Sequence, residues 1–227
     1  KYNLAMLNYD EIIAGIDKFK DYDSDTLMSV VSEIGRLNEL EVVDSNKIGD
    51  REGLKYLPDG PEGPEVHTPE AFKKIYEVVK DSGYVGATMP TQYGGGGAPF
   101  TTAILAGEVG IASNMAFYMG PGLSHGAMKT ILKKATEELK DKYLPNMTSG
   151  EWMGTMCLTE PQCGTDLGLI KSTAKPVDDH YELNGQKIWI SFGEHDLTEN
   201  IIHLVLARTP DAPACLLYTS DAADDLG

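Results

Sequence analysis

The residues best suited to chemistry lie in one stretch, Met156-Cys157-Leu158-Thr159-Glu160-Pro161-Gln162-Cys163-Gly164-Thr165-Asp166. Pro161 and Gly164 interrupt it, so the backbone must turn just after Thr159 and Glu160. Such a turn presents main-chain N–H groups and the hydroxyls of Thr159 and Thr165. Small residues there allow a diphosphate to approach the backbone closely. Composition alone favours the plainer reading, an ordinary turn between two strands. A second stretch follows at Gly185-Gln186-Lys187-Ile188-Trp189-Ile190-Ser191. Trp189 supplies a large planar face there. Taken alone, it reads as a cross-strand core aromatic.

The elements that must position these stretches change character along the chain. Residues 1–148 read as helical by periodicity and caps. Tyr9–Phe19 places Ile12, Ile13, Ile16 and Phe19 on one face. Ser24 is the expected N-cap of a long helix carrying Leu27, Val30, Val31, Ile34, Leu37 and Leu40. Residues 48–67, rich in Gly and Pro, are expected to be a loop. Thr68-Pro69-Glu70 predicts a cap, a Pro at the first helical position and an acid in the first turn of a helix ending at Gly83. Further helices are expected over 99–113 and 126–134, with a break at Gly120-Pro121, and Thr136 caps one running to Leu144. Strands are expected over 153–158, 169–177, 181–191 and 201–207, with turns at Asp178-Asp179 and at Asn184-Gly185. Helices followed by strands give an α+β class, not an alternating α/β sheet. Residues 149–214 then form a second, antiparallel β-domain. Residues 215–227 do not continue the strand pattern and read as a non-native tail, with a divergent natural terminus as the alternative.

A chain of 227 residues can bury one sizeable core or two small ones. The formal charge of -16 argues against nucleic-acid binding, which needs clustered Lys and Arg. No apolar run of about 18 residues is apparent, so no membrane span is expected. Lys1-Tyr2-Asn3-Leu4 has no basic region before an apolar stretch, so no signal peptide is expected. Three Cys without CxxC spacing suggest neither a disulfide framework nor zinc, and a reducing cytoplasm is the simple location. Cys157 and Cys163 read as small packing residues.

The stretch Met156–Asp166 resembles the flavin loop of acyl-CoA dehydrogenases, with Cys163 where that family has Ala. Gln186–Ser191 resembles the family's second flavin element. The likeness extends to Gln92-Tyr93-Gly94-Gly95-Gly96-Gly97, Ser113–Phe117, Tyr143-Leu144-Pro145, Ser149–Trp152 and Glu199–Arg208. The last of these, with Gly193–Asp196, is similar to the branch containing 3-methylmercaptopropionyl-CoA dehydrogenases.

The resemblance implies an N-terminal helical domain, a β-barrel-like middle domain and a C-terminal helical bundle that has no counterpart in these 227 residues. It implies FAD as cofactor, an acyl-CoA substrate, an electron-transfer flavoprotein or similar acceptor, and a homodimer or homotetramer. Met156, Leu158 and Thr159 would contact the flavin ring, where donors stabilise the reduced form. Gly164 and Thr165 would lie near the diphosphate, with Thr165 also near CoA. Trp189 would cover the ring, and Ile190 and Ser191 would meet its edge. The family's base is a Glu of the C-terminal domain, so no catalytic residue is assigned. Glu160 and Asp166 are expected to fix the loop rather than bind metal.

Three other patterns compete. Gly94–Gly97 lacks the following Lys-Ser/Thr of a phosphate loop. Gly122-Leu123-Ser124-His125-Gly126 satisfies G-x-S-x-G, which would make Ser124 the nucleophile of a serine hydrolase if a buried strand preceded it. His203, in an apolar strand, reads as a satisfied core histidine, and His195 as a loop residue. A noncatalytic acyl-CoA or partner-binding module is the remaining alternative. The substrate is read as 3-(methylthio)propanoyl-CoA, with a medium- or long-chain acyl-CoA as the alternative.

Overall fold

The structure is a computed structural model and describes residues 2–61 and 63–212. The suspected tail lies outside the described residues. The described residues fall into two compact units, one holding residues 2–155 and Glu194–Ile202, the other Met156–Gly193 and residues 203–212.

The first unit begins with α1 (Tyr2–Met6) and α2 (Tyr9–Ile12). The helix expected over 9–19 stops at Ile12, and only Asp17–Phe19 resumes as a 3₁₀ turn. Gly15 explains the stop: the chain folds back so closely that a Cβ there would overlap the Glu11 carbonyl. Helix α3 (Ser24–Leu37) is capped by Asp23, whose carboxylate accepts from Thr26 N–H at 2.7 Å. Ser24, the expected cap, is the first helical residue and donates its hydroxyl to Asp10 at 2.7 Å. A π turn at Asn38–Val42 carries the chain into α4 (Val43–Glu52).

Residues 48–67 are not the expected loop. They hold the end of α4 and a hairpin, β1 (Lys55–Gly60) against β2 (Gly63–His67), antiparallel with Lys55 opposite His67. The first unit is therefore not all-helical. Pro58 and Pro64 are tolerated because a two-stranded sheet has only edges.

Helix α5 (Glu70–Asp81) buries Phe72, Ile75, Tyr76 and Val79, the i, i+3, i+4, i+7 set of one face. Pro69 is its N-cap rather than its first residue. Helix α6 (Phe100–Lys134) runs through the predicted gap at 114–125 and through Pro121. Its break lies instead at Asn114, with φ -156° and ψ 92°. The buried Asn114 amide donates to Ser45 Oγ at 2.8 Å, and its oxygen accepts from Phe117 N–H at 3.0 Å. That oxygen serves the N–H that the break orphans. By length and composition alone α6 is long and apolar enough to cross a membrane, with a mean hydropathy of 1.2 over an 18-residue window. Here it packs against α3 and α4, and against α7 (Glu137–Ser149), as the core helix of the unit. Thr136 caps α7 as predicted, accepting from Leu139 N–H at 3.4 Å, and the helix runs past Pro145 to Ser149.

The core is aromatic. Phe117 meets Phe72 at 5.8 Å and Tyr118 at 5.3 Å, both edge to face, and Tyr84 meets Tyr118 at 5.4 Å. Tyr76 donates its hydroxyl to Gly150 O at 2.7 Å, and burial pushes its pKa up. Asp196, returned to this unit, accepts from Thr68 N–H and Oγ1 at 2.9 and 2.7 Å and pairs with Lys73 at 2.9 Å. His67 Nδ1 stands 3.2 Å from the same carboxylate.

Strand β3 (Trp152–Cys157) pairs with β6 (Asn200–Val205). In the second unit β4 (Thr173–Val177) and β5 (His180–Asn184) form an antiparallel hairpin, turned at Asp178 with φ 50° as the sequence implies. Residues 167–169 are a 3₁₀ turn rather than strand, because Asp166 caps Gly168 N–H at 3.0 Å. Strand β5 stops at Asn184, since Gly185 (φ 153°) passes so near Ser172 that a Cβ would overlap it. The α+β class holds, but the strands among the described residues make three two-stranded sheets and no closed barrel.

Two outcomes follow. A Cβ at Gly110 would sit 2.7 Å from the Tyr118 ring, so Gly110→Ala should destabilise by about 1–3 kcal/mol in urea unfolding despite its better helix propensity. Burial pushes the Asp196 carboxyl up, but the Thr68 and Lys73 donors outweigh it and hold its pKa down to about 2. A lowered folded pKa gives stability that is present above the unfolded value and lost as pH falls through the folded one. The stability difference between wild type and Asp196→Asn should therefore stay level above pH ~5 and shrink between about pH 4 and 2. A difference that stays level to pH 2 would refute this assignment.

Candidate functional site

The candidate site is built on the main chain that follows β3. A two-residue turn, Pro161-Gln162, is closed by a bridge in which Glu160 N–H donates to Cys163 O at 2.8 Å and Cys163 N–H to Glu160 O at 3.1 Å. Pro161 presets the first turn position. The Glu160 side chain, 3% exposed, points inward and accepts from Lys171 N–H (2.7 Å), Ser172 N–H (3.0 Å), Gln162 Nε2 (2.5 Å) and Lys187 Nζ (2.9 Å). Burial pushes its carboxyl up, but the main-chain and Lys187 donors prevail and hold it far below the usual carboxylate range. Glu160 is thus a fixed anion, unsuited to general acid–base work near neutrality.

Lys187 joins the two stretches. Its ammonium also donates to Leu158 O at 2.9 Å, while Ile188 N–H donates to Thr159 O at 3.0 Å. Arg208 secures the neighbouring run: its Nε donates to Ile170 O at 2.9 Å, Nη2 to Gly168 O at 2.6 Å, and its N–H to Ser172 O at 2.9 Å. Neither cation was singled out from sequence. The available signal was a Lys in an otherwise uncharged stretch, Gly185–Ser191, lying 27 residues beyond Glu160.

The predicted residues fall as follows. Thr159 and Leu158 are half-buried, Met156 and Thr165 are exposed, and Gly164 packs against Thr159, where a Cβ would find Thr159 Cγ2 at 3.6 Å. Trp189 is 86% exposed, with φ 58° in the left-handed region that a bulky residue rarely adopts. It is no cross-strand core aromatic. Ile190 is half-buried and Ser191 exposed. Among the described residues, the N–H groups of Trp189, Ile190 and Ser191 have no main-chain acceptor, and no hydrogen bond joins Thr165 to them. The result is an open row of N–H and hydroxyl donors beside an uncovered indole. That donor set suits a planar ring with acceptor atoms at its edge. Cys157 and Cys163 are buried thiols, as expected. His203 is exposed, not a core histidine, because it falls on the outward side of β6. His195 is buried in its loop and accepts from Leu197 N–H at 3.2 Å.

Ser124 is not a nucleophile. It lies within α6 rather than on a strand-to-helix elbow, is 1% exposed, donates to Gly120 O and accepts from Gly154 N–H, both at 3.0 Å. Its hydroxyl is occupied in packing: a Cβ at Gly154 would meet Ala127 at 2.6 Å. Sequence reading also missed a cavity of about 450 Å³ within the first unit, lined by Val30, Ile34, Tyr84, Phe100, Ile104 and His125 among others. Its signal was Phe100, Ile104 and Ile111, apolar yet exposed at helical spacing on α6.

Residues 61–151 match the model of the acyl-CoA dehydrogenase N-terminal domain, and residues 155–224 that of the middle domain. The chain is 38% identical over 202 residues to 3-methylmercaptopropionyl-CoA dehydrogenase of Ruegeria pomeroyi, covering 88% of this chain and 34% of that protein. It is 38% identical over 203 residues to a butyryl-CoA dehydrogenase of Syntrophomonas wolfei, covering 86% and 32%. The chain thus spans about a third of the length of the curated relatives it matches. In fold it is similar to an acyl-CoA dehydrogenase of Bacillus anthracis solved with FAD, with a TM-score of 0.66, 24% identity, and coverage of 83% of this chain and 30% of that one.

The Ser124 geometry has a direct consequence. A fluorophosphonate should leave Ser124 unlabelled, as read by mass spectrometry, and Ser124→Ala should cost about 1–3 kcal/mol by stranding the Gly154 N–H.

Proposed function

The chain belongs to the acyl-CoA dehydrogenase family, and we propose that it forms the flavin-facing part of an enzyme that introduces an α,β double bond into an acyl-CoA thioester. The observation that supports this reading most directly is the stitched pair of stretches. The Ile188–Thr159 main-chain hydrogen bond holds Thr159 against the stretch that carries the open donors of Trp189–Ser191. Bound FAD would supply the hydride acceptor for the β-hydrogen. The chain's own residues do the rest of the work on this side. Thr159, Ile190 and Ser191 offer donors to the ring edge, Gly164 and Thr165 leave room for the diphosphate, and Trp189 excludes water from one ring face. The α-proton goes to a base, which the resemblance to the family places in a C-terminal helical domain; Glu160, a hydrogen-bonded anion, does not serve as that base.

The acyl group is proposed to be short. Both relatives described above are named for short acyl groups, and 3-(methylthio)propanoyl-CoA is the substrate we propose. An electron-transfer flavoprotein or similar acceptor, a homodimer or homotetramer, and a cytoplasmic setting belong to the same proposal. The buried thiols of Cys157 and Cys163 suit a reducing compartment.

The test is FAD binding by the 227-residue chain, followed by quenching of flavin fluorescence. Binding should be weak but measurable, and Trp189→Ala and Ser191→Ala should each weaken it about tenfold. The chain alone should show no acyl-CoA-dependent reduction of an artificial electron acceptor. Equal affinity in wild type and both variants would overturn the site, and turnover by the chain alone would overturn the placement of the base.

A further inference from the structure

We propose that Lys187 is a positioning residue that sets the donor geometry and strength of Thr159. The inference rests on the flavin-facing reading for its ligand, a planar ring with acceptor atoms, but on this chain's own contacts for its substance. Lys187 Nζ donates to Leu158 O and to Glu160 Oε1, both at 2.9 Å, so the cation brackets Thr159 from either side. The next residue, Ile188, donates its N–H to Thr159 O at 3.0 Å. Three contacts therefore hold a three-residue span against the stretch carrying Trp189, Ile190 and Ser191.

Two physical effects follow. The first is registry. The Lys187 side chain is 12% exposed and that of Glu160 2%, so removing either charge leaves the other buried without its partner. A pair of this kind is weak evidence for stability, but it strongly disfavours any arrangement that separates the partners. The second is polarisation. The Leu158 carbonyl and the Thr159 N–H belong to one peptide group. An ammonium at the carbonyl oxygen draws electron density through the amide and makes that N–H a stronger donor. A cation on this oxygen would thereby act on a ligand that it does not touch. Arg208 holds a neighbouring run, donating to Gly168 O, Ile170 O and Ser172 O.

The experiment compares wild type with Lys187→Met, Lys187→Arg and Glu160→Gln. Amide hydrogen exchange is read at residues 156–166 and 186–191, and the ¹H–¹⁵N shift is read at Thr159. Lys187→Met should speed exchange of Ile188 by about tenfold or more and move the Thr159 amide proton upfield, with the amides of α5 and α7 unchanged. Lys187→Arg should restore both signals in large part, because it returns charge to the carbonyl. Glu160→Gln should speed exchange but leave the Thr159 shift nearer wild type, since the Lys187–Leu158 contact persists. Exchange and shift unchanged in Lys187→Met would overturn the proposal, as would equal losses in the Met and Arg variants. FAD titration of the same proteins separates the two ideas. Wild type that holds no flavin but shows the Lys187 signature sinks the functional reading and keeps the positioning one. Flavin binding that is the same in wild type and Lys187→Met does the reverse.

Discussion

The second unit depends on one buried carboxylate. Taking Glu160 out of water is costly, and the cost is offset only because four donors converge on it, two of them main-chain N–H groups and one a cation. Each donor comes from a different part of the unit's chain or from an adjacent residue of it. Gln162 fixes the turn, Lys171 and Ser172 bring in the approach to β4, and Lys187 brings in the stretch after β5. The constraint propagates further. Because Ser172 must stand beside Glu160, the chain passing it at residue 185 has no room for a Cβ, and Gly185 is required there.

The first unit solves a similar problem with hydroxyls. Main-chain groups at Gly150 and Gly154 are buried where strand and helix meet within the unit. Tyr76 and Ser124 satisfy them. This explains why a G-x-S-x-G pattern can occur with no nucleophilic role. The small residues at Gly154 and Ala127 permit close packing, and the serine between helix and strand completes the hydrogen bonding. The chemistry of a hydroxyl depends on its partners, and here the proton goes to Gly120 O while a lone pair accepts from Gly154 N–H.

What was legible in the sequence was local. The helix α5, the Thr136 cap, the Asp178 turn and β6 each follow from residues within a few positions of one another, and each was foreseen. What was not legible depended on distant partners. The break in α6 was expected at Gly120-Pro121, yet it sits at Asn114, because Asn114 finds Ser45, 69 residues away, and supplies its own side chain to Phe117 N–H. Pro121 stays in the helix despite its missing donor. Asp23 displaced Ser24 as a cap because Ser24 has a second acceptor in Asp10, again beyond local view. The candidate residues of the site were all read from motif, but the charges that hold them, Lys187 and Arg208, were not. A cation's role depends on which carbonyls reach it, and spacing does not show that.

Trp189 carries the argument a step further. A strand through residue 189 was the expectation, and a strand would have turned the indole inward or outward with ordinary φ. Instead the residue adopts φ 58° and leaves the ring 86% exposed. Both features oppose folding of the isolated chain. The backbone conformation costs of the order of 1 kcal/mol or more, and an uncovered indole forgoes up to about 4 kcal/mol of burial by area. Such a pair of penalties persists only where the surrounding contacts over-determine it, and the bonds at Ile188 and Lys187 immediately before it do so. On the flavin-facing reading the two penalties have one cause. A single planar ligand would cover the indole and take the N–H groups of residues 189–191, which have no main-chain acceptor among the described residues.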